Sequence, residues 1–445
     1  SNFVENSFEN NAAYEGGGLT IYESTATIES NTFTENDAST TDEAAWGPGG
    51  GGGGAWLYGE FEVIDNLFQD NLSQYHGGGF YMVSSSPEVS GNTVIGNISY
   101  EDGGGGYTNY CGGTFTDNVF EENEAYDDAG GFRVYVGSMV VEDNEFVANA
   151  AADDAGGMKL SHSYNTIRGN TFEDNYAGDA GGGLELDNET SDVSDCEFYN
   201  NTASRGAGLH SWRNEGALTI RNSLFEGNEA STCGGAIQMD NNPHEVLIHQ
   251  VEATENQSGI DGGAICTDVY YQDDELTVTE PAHFTVNNSL FVDNEAADDG
   301  GAIYVESGFM EMVNVTVHGN DAGDDGGGIA MKEESAGILN NVIVSESGAE
   351  GIYIEEEYDA DAVPSSGLLV AYTNVWGSED EDYQGMDDPT DENGNISELP
   401  LYVSASSGDF DLTSSSPCVD AGDPDISDTD GSRSDMGVTG GPDAW

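Results

Sequence analysis

Basic residues are nearly missing from this chain. Lysine and arginine together number 8 in 445 residues, against 85 aspartates and glutamates, for a formal net charge of −77. Phosphate backbones are gripped by Lys and Arg, so the balance excludes nucleic acid as a partner. It also disfavours anionic membranes and polyanionic glycans unless a cation bridges them. Long apolar runs are absent too: no stretch of 18 apolar residues occurs, so no membrane-spanning helix is expected. Cysteine is sparse. Cys111, Cys196, Cys233, Cys266 and Cys418 sit in no metal-like spacing, which argues against a cysteine zinc site and leaves one or two disulfides whose pairing the sequence does not give. Helix-capping patterns and helical periodicity are missing throughout. So is a leader peptide, because the chain opens inside a repeat, "SNFVENSFENNAAYEGGGL", and reads as a mature or trimmed piece of a longer protein.

What is present is a repeat. Phenylalanines at 8, 33, 68, 120, 146, 172, 198, 225 and 291 are each followed three residues later by asparagine, and Val94, Ala253 and Val317 take the Phe place in three further units. From Phe68 to Phe198 the spacing is 26 residues five times running. A second asparagine column (Asn6, Asn31, Asn66, Asn92, Asn118, Asn144, Asn170) precedes the anchor by two. About ten residues after each anchor come glycines and an alternating strand, as in "GGFRVYV" and "GGMKLSH". Such a unit buries its apolar face only by stacking on its neighbours. The pattern therefore predicts an all-β fold, a right-handed parallel β-helix of about 12–14 coils, with rungs ~4.8 Å apart, stacked Phe inside and Asn ladders in the turns. Residues 1–345 carry the regular coils, with insertions near 39–59 and 268–285. Residues 346–445 read as irregular final coils and an acidic C-terminal cap.

The pairing of FxxN with GGA[IL] resembles the repeat of the polymorphic outer membrane protein family. Intact forms stand at Gly234–Ile237, Gly262–Ile265 and Gly300–Ile303, and looser ones at Gly16–Leu19 and Gly181–Leu184. The resemblance covers roughly residues 1–345 and implies an adhesin-like role at the outer cell surface or outside the cell. The chain departs from the family in showing no terminal autotransporter-barrel pattern. Its tail, "SSSPCVDAGDPDISDTDGSRSDMGVTGGP", is similar to the closing segment of secreted bacterial β-helix proteins, which implies a cap over the end of the solenoid.

Acid gathers in one place of the repeat. At seven and eight residues past the anchor stand Glu101/Asp102, Asp127/Asp128, Asp153/Asp154, then Asp179 alone, and later Asp298/Asp299 and Asp324/Asp325. Stacking brings these pairs rung upon rung. Two unit charges ~5 Å apart repel by ~0.8 kcal/mol in water and by several-fold more beside a low-dielectric surface. Ca2+ is the expected counter-ion, since it accepts six to eight oxygens in flexible geometry and the glycine turns expose carbonyls beside the carboxylates. Solvated, salt-screened acid is the plainer alternative. The tail loop with Asp423, Asp425, Asp428 and Asp430 approaches a calcium loop but misses the EF-hand spacing, so Asp425, Asp428 and Asp430 rank lower.

Strand alternation places Arg133, Lys159, Glu185, His210, Gln238, Cys266, Tyr304 and Ala330 in one outward column. Tyr135, Ser161, Asp187, Trp212, Asp240, Asp268, Glu306 and Lys332 form a second. One reading of this stripe is a glycan groove: Arg133, Tyr135, Lys159, His210 and Trp212 bind sugar while Glu185, Asp187 and Asp240 supply glycosidase carboxylates. The other is a ladder of cross-rung ion pairs, with Arg133 and Lys159 beside Glu185, and it is preferred. The favoured function is an extracellular or cell-surface structural and adhesive rod, calcium-stabilised, with a glycan or cell-surface ligand and end-to-end self-association as partners. The alternative is a polysaccharide-active enzyme working along the stripe.

Overall fold

The computed structural model describes residues 1–39, 50–242, 244–268, 282–333, 335–355 and 367–444. Parts of both insertions, including Trp46, and most of the acidic stretch after Glu355 lie outside the described residues. The chain divides into two compact units, Ser1–Glu215 and Gly216–Trp445. Each is a right-handed parallel β-solenoid with about 26 residues per turn, about 13 turns in all, and no α-helix among the described residues.

In the first unit the repeat fixes three strands per turn. The coil that starts at Val119 has the strands Val119–Glu121, Glu124–Ala125 and Phe132–Glu142. Each pairs in parallel with the strand 26 residues on, so Phe120 stands opposite Phe146, and Phe132 opposite Met158. The anchor phenylalanines stack face to face inside: Phe120, Phe146, Phe172 and Phe198 have successive ring centroids 5.1, 5.0 and 4.8 Å apart with planes within 10°. All four are buried. Stacked rings of this kind combine apolar burial with offset π contact.

The asparagines that follow form the predicted ladders. Asn149 shows the pattern: its Oδ1 accepts the backbone N–H of Asn123 at 3.1 Å and the Asn123 side-chain amide at 2.9 Å, while its own Nδ2 donates to Phe120 O and to Asn175 Oδ1. Each buried turn amide is thereby satisfied by the next coil. Cys196 occupies the place of asparagine in the second column. Its thiol is buried, lies 3.2 Å from Ser194 O, and is pushed up to about 12 by that burial. The glycines permit this stacking distance: a Cβ on Gly131 would meet Gly157 O at 2.4 Å and the Phe146 ring at 3.1 Å.

The second unit repeats the scheme, with Asn228, Asn256, Asn294 and Asn320 as its ladder. It also holds the one disulfide among the described cysteines, Cys233–Cys266, which the sequence left unpaired. Cys111, Cys196 and Cys418 are buried thiols outside that disulfide. The tail packs back on the side of this unit. Gly437 N donates to Asn341 O, Asn314 Nδ2 to Ser434 Oγ, Asn288 Nδ2 to Gly440 O and Gln250 Nε2 to Asp443 O. It therefore runs back along the flank over successive coils, with Phe410 and Val438 packed on Leu290 and Val292.

Candidate functional site

The aspartate column stacks as its spacing requires. Asp153 N donates to Asp127 O at 3.1 Å and Asp179 N to Asp153 O at 2.8 Å. The two residues of each pair then part company. The second members turn inward and make a carboxylate ladder: Asp102 Oδ1 accepts Asp128 N, Asp128 Oδ1 accepts Asp154 N, and Asp154 Oδ1 accepts Ala180 N at 3.2 Å. The first members, Asp127 and Asp153, stay exposed.

The inward row has protein counter-ions. Arg133, Lys159, Glu185 and His210 align in register on neighbouring rungs. The alternation predicted that this column faces solvent, and the structure corrects that: the four residues are only 7, 5, 4 and 2% exposed. They do leave the apolar interior, but the aspartate turn closes over them because opposite charges meet there. Lys159 Nζ lies 2.6 Å from Asp154, 3.0 Å from Asp128 and 3.1 Å from Glu185, and Arg133 Nη1 lies 3.5 Å from Asp128. Burial works against the charge on Lys159, yet Glu185, Asp154 and Asp128 carry its pKa above the ordinary lysine value. Burial acts to raise the Asp154 carboxyl, but Lys159 outweighs it and holds the group below the usual range. Glu185 is raised by burial, with Lys159 offsetting part of the effect. The ion-pair reading of this stripe is therefore the one its geometry supports, and Arg133, Lys159, Glu185 and His210 do not line a groove.

The second column also stacks in register, with Tyr135, Ser161, Asp187 and Trp212 on neighbouring rungs. Tyr135 and Trp212 are half-buried, with the Arg213 guanidinium 5.0 Å over the Trp212 ring. Asp187 accepts from Ser161 Oγ at 3.3 Å and Asn188 Nδ2 at 2.6 Å. Asp240 belongs to the second unit, is buried, and accepts from Gln238 Nε2 at 2.9 Å. Gln238, Cys266, Tyr304 and Ala330 are likewise covered and not exposed, the last three in a small cluster with Cys233.

The second unit has its own ladder. Asp261 Oδ1 accepts Asp299 N, and Asp299 Oδ1 accepts Asp325 N at 3.1 Å. Lys332 is its cation, with Nζ 2.5 Å from Asp299 and 3.2 Å from Asp325. Sequence reasoning missed Asp261, although the same count of eight from Ala253 lands on it. It also missed Arg205, seven past Phe198, which takes Asp179 in a two-pronged contact of 3.2 and 2.7 Å. A base in an acidic column was the signal.

The exposed row retains an imbalance. Burial, then Asp128 and Asp102, raise Asp127. Burial, then Asp154 and Asp128, raise Asp153. Among the described residues, three groups have carboxylate oxygens within 4.8 Å of one another: Asp127 with Asp128 and Asp153, Asp153 with Asp154 and Asp179, and Asp261 with Asp298 and Asp299. Oxygen donors so arranged, open on one side to water, suit a hard divalent cation. Glu101 and Asp102 instead flank His76 at 3.6 and 3.4 Å, and Asp324 falls outside the three groups. The tail loop does not gather its acids. Asp428 accepts the backbone N–H of Asp435 and Gly441, Asp430 accepts Ser432 N, and Asp425 donates its N–H to Asp423, so Asp425, Asp428 and Asp430 serve turns and form no group of this kind.

Fold and repeat together define a parallel β-solenoid built from FxxN coils. The family described as the right handed beta helix region matches residues 1–172 and 152–266, more than half of the chain, and the chain belongs to it. The Chlamydia polymorphic membrane protein repeat matches residues 288–306. Among solved structures the chain is similar to the pectate lyase Pel9A, at 13% identity and a TM-score of 0.41 over 94% of this chain and 96% of that one. A likeness of this size carries no argument about activity. Comparison with curated proteins finds no match. No helix among the described residues is long and apolar enough to cross a membrane.

Proposed function

We propose that the chain is a structural and adhesive β-solenoid, secreted or displayed on the outer cell surface, whose exposed aspartate rows bind Ca2+. One observation carries this reading. The first column of the stripe an enzyme would use as its groove is buried, and Arg133 and Lys159 are paired there with the carboxylates of neighbouring coils, so the chemistry there holds coils together. The outer row, in contrast, holds the exposed Asp127 and Asp153, each with a carboxylate oxygen within 4.8 Å of the other and of Asp128. The polymorphic membrane protein repeat supports a surface location. A calcium ion shared between rungs would tie adjacent coils and relieve repulsion that otherwise opposes the stack. The surface so formed suits a neutral or cationic glycan or cell-surface ligand, which the charge does not repel.

Equilibrium dialysis against calcium in high sodium chloride tests the proposal. Calcium retained by the wild type and reduced by a D127N/D153N variant is the expected result, and equal retention by both would overturn it. Incubation with polysaccharides, followed by reducing-end release, tests the enzymatic alternative. Turnover abolished by E185Q in a still-folded chain would replace the present reading. Sedimentation with and without calcium tests self-association.

A further inference from the structure

The first unit carries a line of aromatic side chains that the ion-pair ladder does not use. It lies in the second column of the stripe, two residues beyond the buried Arg133 and Lys159. Tyr22 stands opposite Tyr58 on the next rung. Val83 and Asn109 take the two rungs after that, and Tyr135 the third. Ser161 and Asp187 follow, then Trp212. Tyr135 is thus three rungs beyond Tyr58, and Trp212 three rungs beyond Tyr135. With rungs ~4.8 Å apart, an aromatic ring recurs every ~14 Å along one column. Tyr22 is 65% exposed, and Tyr58, Tyr135 and Trp212 are half-buried.

The first platform is the broadest. The Tyr22 and Tyr58 ring centroids are 5.1 Å apart, and Trp56, from the first column, lies 6.2 Å from Tyr22 and 6.4 Å from Tyr58. The Tyr22 and Trp56 planes agree within 6°, and Tyr58 is tilted to them by 38 and 35°. Rings so inclined make a shallow platform and not a closed cage. Tyr135 makes the second platform, with the His162 ring 5.8 Å away. Trp212 makes the third and narrowest, since Arg213 covers one of its faces. Asn109 and Asp187, both half-buried, place an amide and a carboxylate between the platforms.

We propose that this column is a binding track for a linear, neutral polysaccharide laid along the solenoid axis, with its sugar rings resting on the aromatic platforms. The inference rests on the adhesive reading above and gives that reading a site and a ligand class. The C–H face of a pyranose is flat and apolar while its hydroxyls project from the edge, so it lies on an aromatic ring as offset rings lie on one another. An extended chain of equatorially linked pyranoses advances by roughly one rung, ~4.8 Å, per sugar. Platforms three rungs apart then meet every third sugar, and Asn109 and Asp187 face the hydroxyls of the sugars between. Periodicity favours this occupant over a folded protein, which has no repeat of that pitch. Charge favours it too, because a net charge of −77 repels a second copy of the chain and any polyanion. Alternation pointed to Tyr135 and Trp212 for such a role. The structure separates them from the buried Arg133, Lys159 and His210, and adds Tyr22, Trp56 and Tyr58.

The test is a titration of the full chain with cello-, manno- and chito-oligosaccharides, from the disaccharide to the octasaccharide, in chelator and sodium chloride, followed by calorimetry and tryptophan fluorescence. At least one series is expected to bind saturably. Its affinity should rise about tenfold from the trisaccharide to the tetrasaccharide, the shortest chain that touches both Tyr58 and Tyr135, and again at the heptasaccharide, which reaches Trp212. Y135A should abolish the first step and weaken the heptasaccharide about tenfold. Y22A should weaken it several-fold and carries the test should Y135A fail to fold, since its ring is largely exposed. Y126A, whose ring is 53% exposed and stacks on Tyr100 outside the column, should bind as the wild type does. Binding that ignores chain length, equal binding by wild type, Y22A and Y135A, or no binding in any of the three series would overturn the track. Retention of intact cells by the wild type would then leave the adhesive reading standing, and loss of both would remove the two together.

Discussion

Replacing Lys159 with methionine removes the cation that three carboxylates share while keeping an unbranched stem in place. The lysine side chain is 6% exposed, and its Nζ is 2.6–3.1 Å from Asp154, Asp128 and Glu185. Removing one partner of a buried ion pair costs about 3–5 kcal/mol. Glu185 limits that cost by taking a proton. Holding a carboxyl of ordinary pKa ~4.3 protonated at pH 7 costs ~3.7 kcal/mol, at ~1.36 kcal/mol per pH unit. Asp128 and Asp154 are 16 and 20% exposed and add little beyond this, because water screens them. The expected loss is therefore about 3–4 kcal/mol at pH 7. For a unit spanning Ser1–Glu215 this lowers the melting temperature by roughly 6–16 °C. The sign of the pH dependence follows. In the variant Glu185 binds its proton more tightly folded than unfolded, so the penalty is absent below pH ~4.3 and grows as pH rises through the folded value. Melts of wild type and K159M, followed by circular dichroism at pH 4 and pH 7, should show a gap that is wide at 7 and narrower at 4, where Asp154 still depends on Lys159. Pairing the change with E185L should recover most of the loss. A cost below about 1 kcal/mol at pH 7, or a gap equal at both pH values, would refute the reasoning.

Glu189 is buried, accepts from Ser163 and Asn165, and is raised by burial to about 7. A raised carboxyl favours the folded state below ~4.5, and that contribution is lost as pH rises through about 7. The wild type should thus lose up to roughly 3 kcal/mol between pH 4.5 and pH 8 that E189Q does not, read as the difference in their melting temperatures at the two pH values. Removing the Cys233–Cys266 bridge by a double serine change frees a separation of 33 residues and should cost about 3–4 kcal/mol in a denaturant titration. The N149A substitution orphans Asn123 N, Asn123 Nδ2 and Phe120 O and should cost at least about 3 kcal/mol, measured the same way. A loss near 1 kcal/mol would mean that water replaces the ladder amide.

The fold was legible because its determinants repeat. Phe120 predicts Phe146, and one asparagine ladder bond predicts the next, so a single register fixes every coil that keeps the spacing. The site was half legible for the same reason. Counting from the anchor placed Asp128 over Asp154, and with Ala253 as anchor the same count reaches Asp261. Alternation failed where charge overrode it. A period of two says only that Lys159 leaves the apolar interior; it does not say that the preceding turn folds down to meet it. That closure depends on a long flexible cation reaching Asp128 and Asp154 together, a contact between neighbouring coils. The returning tail was unreadable for a related reason. Tyr402 meets Ser345 only after the chain has left the solenoid and come back, and no period in the sequence records that path.

The most direct test of the central claim is a set of thermal melts of the wild type and D127N/D153N in calcium, in chelator, and in sodium chloride of matched ionic strength. If the outer aspartate row binds Ca2+, calcium alone raises the wild-type melting temperature and the double variant loses most of that rise. An equal rise in sodium chloride, or an undiminished calcium effect in the variant, would contradict the account and reduce the acidic row to a screened surface.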